Sequence, residues 1–135
     1  MEGNPQHTGT NAEINFTNDG DFIRLAPNFP GDRFAAVWNG KIPIYEGGEY
    51  EFFTRSDDGS ILWVDGYDDS TKVVDNWGLH GAVTKSGKKL LSKGWHDVNV
   101  EFFENGGGAS CVVKYKGPDT AGSEALIAAF HDPNA

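Results

Sequence analysis

A single cysteine, Cys111, occurs in 135 residues. That excludes an intramolecular disulfide and any zinc site built on several cysteines. Cationic side chains are also scarce, with 11 Lys and Arg against 20 Asp and Glu and a net charge of −9. Such a chain is poorly suited to nucleic acid or to an anionic membrane surface, both of which recruit Lys and Arg. Its acidity suits solubility and divalent cations. No apolar run approaches the length of a membrane span, and no signal-peptide pattern is legible. Phosphate loops, dinucleotide fingerprints, nucleophile motifs and helix-loop-helix calcium loops are all missing. His7, His96 and His131 do not cluster in sequence, which leaves a zinc or histidine-based catalytic centre without support. No enzymatic activity is expected.

Helical periodicity is nearly absent as well. Short alternating segments recur between Gly, Asn, Asp and Pro, and they predict strands. The predicted strands are 13–17, 22–25, 33–38, 49–55, 61–64, 72–76, 88–91, 96–103, 110–116 and 125–130, the last equally readable as a helical turn. Alternation is clearest in "HDVNVEFFE", where Val98, Val100 and Phe102 share one face. Cys111 alternates in phase with Val113 and Tyr115, which makes it a buried thiol. Trp38, Trp63 and Trp95 lie in strands or at strand starts and are assigned to the core. The pattern as a whole predicts an all-β, single-domain antiparallel sandwich or barrel over residues 13–135, behind a loose tail at 1–12. "NFT" at Asn15 is a glycosylation acceptor pattern of low specificity.

Two hairpins are expected to build one end of the domain. Strands 61–64 and 72–76 are joined by the polar turn "DGYDDST", so that their open ends bring Asn76, Trp77 and Gly78 beside Asp58 and Gly59. A second hairpin is expected to join "VEFFE" to "SCVVKY" through "NGGGA" at 105–109. Three consecutive glycines permit backbone conformations that other residues resist, and they let a ligand come close. Asp65, Asp68 and Asp69 fall in the opposite turn, as solvated surface.

Asp57 and Asp58 stand next to each other at the end of a predicted strand. Three explanations compete. An Asp-Gly turn would use the carboxylate as a cap and Gly59 for a positive φ. A glycosidase pair would need its acids well apart across a cleft, which adjacent residues do not provide. A calcium site would use both carboxylates together with amide and carbonyl oxygens. It requires the local backbone to turn both side chains inward, which a cis peptide would do.

"SDDGSILWVDG", "VVDNWGLHG" and "KLLSKGWHDVNVEFFENGGGAS" closing in "VKYKGPD" resemble, in order and spacing, the PA-14 domain family, the protective-antigen-like module of toxins, glycosidases and adhesins. The resemblance runs from about Phe34 to Pro118 and implies a β-sandwich of jelly-roll character. In the family's lectins, two consecutive aspartates joined by a cis peptide and a second loop hold one Ca²⁺, whose shell is completed by sugar hydroxyls. On this sequence that implies Asp57, Asp58 and Asn105 as side-chain ligands and Gly107 as a carbonyl ligand. Asn76, Trp77, His80 and Gly106 would then surround the sugar. Trp77 either stacks on a pyranose face or plugs the end of the barrel, and His80 either reaches a hydroxyl or is a polar loop residue. The implied function is a calcium-dependent carbohydrate-binding module. It would hold terminal sugars of glycans or polysaccharides and belong to a larger extracellular or cell-surface protein. The alternative is a non-catalytic structural or protein-interaction domain with at most a structural calcium.

Overall fold

The computed structural model describes residues 14–16, 34–104 and 110–127. The strand predicted at 22–25 and the glycine run at 105–109 lie outside the described residues. Among the described residues there are nine strands: β1 (Asn15–Phe16), β2 (Phe34–Ile44), β3 (Gly48–Asp57), β4 (Ser60–Val64), β5 (Lys72–Asn76), β6 (Val83–Leu91), β7 (Gly94–Glu104), β8 (Ser110–Lys116) and β9 (Ala125–Leu126). Two antiparallel sheets form. The first has the order β1-β8-β3-β6, with β9 also on β8, and the second has the order β2-β7-β4-β5.

Side chains at alternate positions fill the space between the sheets. Tyr50 and Phe52 of β3 meet Val98, Val100 and Phe102 of β7, all fully buried. Cys111 and Val113 join them from β8, as their phase requires. Each fully buried side chain of this size contributes roughly 1.5–3 kcal/mol of transfer free energy, so this inner layer holds the sheets face to face. Trp38 and Trp63 are buried as well. Trp95 is not: it stands 49% exposed at the start of β7, out of phase with the inward-facing Val98, Val100 and Phe102.

The β4–β5 hairpin pairs as expected, with Ser60 opposite Asn76. The second expected hairpin does not exist. β7 pairs with β2 and β4 in one sheet, whereas β8 pairs with β1, β3 and β9 in the other. Residues 105–109 therefore connect the two sheets. Alternation marks which residues face inward but not which sheet a strand joins, so sequence periodicity cannot separate a hairpin from an arch. β2 also runs six residues further than its predicted end at Trp38, through Gly40 and Pro43. Proline is tolerated there because β2 is an edge strand.

Close approach of the two sheets at one margin depends on Gly87. A Cβ at this position would lie 1.8 Å from the Val73 carbonyl oxygen. At the far end, Asp65 does more than face solvent. Its carboxylate lies 2.9 Å from His96 Nδ1, and His96 Nε2 lies 2.7 Å from the Ser92 carbonyl oxygen. Asp68 caps the 3₁₀ turn Asp69–Thr71 by accepting from the Thr71 N–H.

Candidate functional site

β3 ends at Asp57 in the first sheet and β4 begins at Ser60 in the second. Asp58 and Gly59 thus carry the chain across one end of the sandwich. The peptide between Asp57 and Asp58 is cis. Gly59 has no positive φ among the described residues, which corrects the turn explanation. It is glycine for space instead. A Cβ there would come 2.4 Å from the Phe103 ring and 2.7 Å from the Gly78 nitrogen.

The hairpin places its open end where the sequence predicted. The His80 N–H donates to Asp58 Oδ1 at 3.2 Å, and Asp58 is only 7% exposed. Both ring nitrogens of His80 face carbonyls, Nδ1 that of Gly81 at 2.7 Å and Nε2 that of Asn76 at 3.0 Å. Burial alone would lower the His80 pKa. The two carbonyl acceptors and the nearby Asp58 and Asp57 carboxylates act the other way, and the net direction is upward. The ring is thus held between two carbonyls, with its main chain against one carboxylate.

Beneath the pair, the sandwich interior turns polar. Thr54 and Ser56 continue the inward phase of Tyr50 and Phe52 but carry hydroxyls. Ser56 and Ser60 hydroxyls lie 2.7 Å apart, and Ser60 donates to Thr54 at 2.9 Å. Asn76 is buried among them and donates from Nδ2 to the Val83 carbonyl at 2.8 Å and to the Thr54 carbonyl at 3.2 Å. This network was missed in the sequence. The signal was there, in "YEFFTRS", where the inward positions pass from aromatic to hydroxyl within one strand.

Both ends of the 105–109 segment are fixed beside the aspartates. Ser110 pairs opposite Asp57, and the Phe103 N–H donates to the Gly59 carbonyl at 3.0 Å. Asn105, Gly106 and Gly107 themselves lie outside the described residues. Trp77 is 52% exposed and tilts against Phe103 with ring centroids 4.4 Å apart, so it neither plugs the sandwich nor stands unsupported. Leu79 beside it is 70% exposed.

Among the described residues, no cluster of three or more His, Cys, Asp or Glu is present. A hard-cation site does not require one, because carboxylates can be supplemented by amide, hydroxyl and carbonyl oxygens. Two buried oxygens near the aspartates have no hydrogen-bond partner, Asn76 Oδ1 and Ser110 Oγ. Unpartnered buried oxygens on the strands that flank two carboxylates call for a cation or water. The donor set, all oxygen and net negative, fits Ca²⁺ rather than a soft metal.

Comparison with known proteins agrees with this architecture. The PA14 domain family model matches residues 3–126, extending N-terminal of the stretch that carries the sequence resemblance. The anti-sigma-I factor RsgI3 of Acetivibrio thermocellus is 31% identical over 85 residues, which is 62% of this chain and 13% of that protein. A solved anti-sigma factor domain-containing protein superposes with a TM-score of 0.77 at 26% identity, over 94% of this chain and 42% of that one. A PA14 sugar-binding domain from an RTX adhesin superposes with a TM-score of 0.68 at 20% identity, over 88% of this chain and 75% of that one. This chain thus spans only a fraction of the anti-sigma factors that it is similar to. Among the described residues no helix is long and apolar enough to cross a membrane. With the aspartate crossover, the two-sheet topology and a match over nearly the whole length, the chain belongs to the PA14 domain family.

Proposed function

We propose that this domain is a calcium-dependent carbohydrate-binding module within a longer protein. Asp57 and Asp58 would hold the ion, together with Asn105 and the Gly107 carbonyl from the segment whose two ends flank them. The ion, when bound, would polarise and orient two vicinal hydroxyls of a terminal sugar. The observation that carries this proposal is the pair of adjacent carboxylates at one end of the sandwich, with the His80 N–H on Asp58 and the unpartnered Ser110 Oγ on the residue paired opposite Asp57. Similarity to a PA14 sugar-binding domain supports it. Trp77 and Leu79 offer an apolar surface next to the carboxylates, and Trp77 would meet a pyranose face. His80 holds Asp58 through its main chain and is oriented by two carbonyls, so its part is to shape the site. A shallow site of this kind gives affinities of roughly 10⁻³ to 10⁻⁵ M, and useful adhesion would come from multivalency. Localisation at the cell surface or outside the cell follows from this function.

A second reading has its own support. Similarity to anti-sigma factors favours a non-catalytic interaction or assembly domain, in which calcium would serve stability alone. The two are compatible if the domain senses a glycan on behalf of a larger signalling protein. A glycan array at millimolar Ca²⁺, repeated with excess EDTA, separates them. Binding to defined terminal sugars that disappears with EDTA is expected. Silence in both conditions, with calcium still raising the melting temperature, would favour the assembly domain.

A further inference from the structure

The outer face of the first sheet carries a groove of about 340 Å³ lined by Phe53, Arg55, Thr84, Val112, Lys114, Glu124 and Leu126. That volume lies at the lower end of the range for ligand clefts. Phe53, Val112 and Leu126 supply apolar surface, and the Lys116 ammonium sits 5.8 Å from the Phe53 ring centroid. Arg55 and Lys114 supply charge. Among the described residues no ion pair engages either of them, whereas Lys116 and Lys88 are matched with Glu51 at 3.6 Å and Glu49 at 3.9 Å. Glu124 leaves the groove net positive.

This local sign runs against the whole chain. Strands of the first sheet carry six cationic residues, Arg55, Lys85, Lys88, Lys89, Lys114 and Lys116, against three anionic ones, Glu49, Glu51 and Asp57. Strands of the second sheet carry Lys41 and Lys72 against Asp75, Asp97, Glu101 and Glu104. Lysines on a sheet edge have an ordinary purpose, since they keep edges from pairing with other chains. β6 is such an edge, which accounts for Lys85, Lys88 and Lys89. It does not account for Arg55 or Lys114, because β3 and β8 are interior strands.

The groove also has a fixed relation to the aspartates. Arg55 and Asp57 lie two residues apart on β3, hence on the same face, and their partners Val112 and Ser110 step in parallel on β8. Two residues of strand span about 7 Å. A chain of sugars held at Asp57 and Asp58 would lay its next residue over the groove.

We propose that this groove seats a carboxylated sugar, making the domain a reader of acidic glycans. Arg55 would take the carboxylate through its fork, Lys114 would add a second charge, and Phe53, Val112 and Leu126 would meet the apolar face of the ring. The proposal rests on the carbohydrate-binding function above and narrows its ligand. Titration calorimetry of the 135-residue chain in Ca²⁺ tests it, with a uronic-acid trisaccharide and the same trisaccharide after carboxyl reduction. The acid form is expected to bind at least tenfold more tightly, with an advantage that shrinks as salt is raised. The double variant Arg55→Gln/Lys114→Gln is expected to bind both forms alike, while its affinity for the reduced form stays within twofold of the original. Equal affinities in the unaltered chain would overturn the proposal, as would a preference that survives the double variant. So would equally tight binding of an oligoglutamate peptide, which would make the groove a protein-docking surface. If the reduced form binds in Ca²⁺ without any preference for the acid, the groove proposal fails alone. If neither trisaccharide binds and the glycan array is silent, the carbohydrate function fails and takes this proposal with it.

Discussion

The His80 main-chain N–H donates to Asp58 Oδ1, joining the loop after β5 to the crossover between β3 and β4. The two residues are 22 positions apart, and the bond holds one carboxylate in a nearly closed position at the end of the sandwich. Asn76, four residues before His80, closes the same unit from below through its bonds to Thr54 and Val83. The aspartate crossover and the β4–β5 hairpin are thereby one construction that spans both sheets.

Replacing either aspartate by its amide tests the metal. Asp57→Asn and Asp58→Asn keep shape and volume but remove charge from the site proposed for the ion, whose ligands would be hard oxygens. Calcium at about one hundred times its Kd stabilises a domain by about 2.7 kcal/mol, on the order of 5–10 °C in Tm for a chain of this size. Calorimetric scans should show that rise for the unaltered protein and its loss in both variants, with Tm in EDTA little changed. A rise that persists in both variants would place the ion elsewhere.

Gly87 allows β6 to approach β5 within a distance that no side chain permits. Its Cβ would meet backbone rather than a flexible side chain, so relaxation must move a strand. Gly87→Ala is expected to cost about 3 kcal/mol, at the upper end of overpacking effects. Urea titration should show a lower midpoint with unchanged slope. A cost below about 1 kcal/mol would mean that the two sheets slide freely at this margin.

How much of this was legible beforehand follows from what alternation encodes. "HDVNVEFFE" put Val98, Val100 and Phe102 on one face, and that face is the buried one, because period two reports it directly. The β4–β5 hairpin was legible because a short polar turn joins two apolar runs. The change of sheet between β7 and β8 was not, since five residues of Asn, Gly and Ala suit either connection. Trp95 misled for a different reason. Its type matches a core residue, but it is out of phase with Val98, Val100 and Phe102 on the same strand and so faces outward. The groove over Arg55 and Lys114 joins residues from β3 and β8, strands distant in sequence, and only the sheet order brings them together.

Trp77 is the next test of the site. It is half exposed and backed by Phe103, which fixes the indole without covering it. A ring presented in this way loses little entropy on meeting a sugar. Trp77→Ala should weaken calcium-dependent sugar binding about tenfold, equivalent to about 1.4 kcal/mol, while leaving the calcium-induced rise in Tm intact. Trp77→Phe should recover part of the affinity. Loss of the calcium effect as well would show that Trp77 acts on the metal loop rather than on the sugar.

Cys111 supplies a pH-dependent prediction that does not involve the site. The thiol is fully buried, and burial pushes its pKa well above the ordinary 9.0 because the thiolate would lose its hydration. A pKa raised in the folded state contributes stability in full below the unfolded value, and that contribution is lost as pH rises toward the folded one. Stability should therefore be flat with respect to this group up to about pH 8 and decline above about pH 9. Tyr67, raised to about 12 by desolvation and then by Glu101, adds its own decline above pH 10. Cys111→Ala should remove the earlier decline and leave the later one, as read from urea midpoints between pH 7 and 11. In the native protein a thiol reagent should react at least roughly a thousandfold more slowly than in urea, because reaction requires the core to open. Rapid labelling without unfolding would show that β8 leaves the sheet far more readily than its central pairing implies.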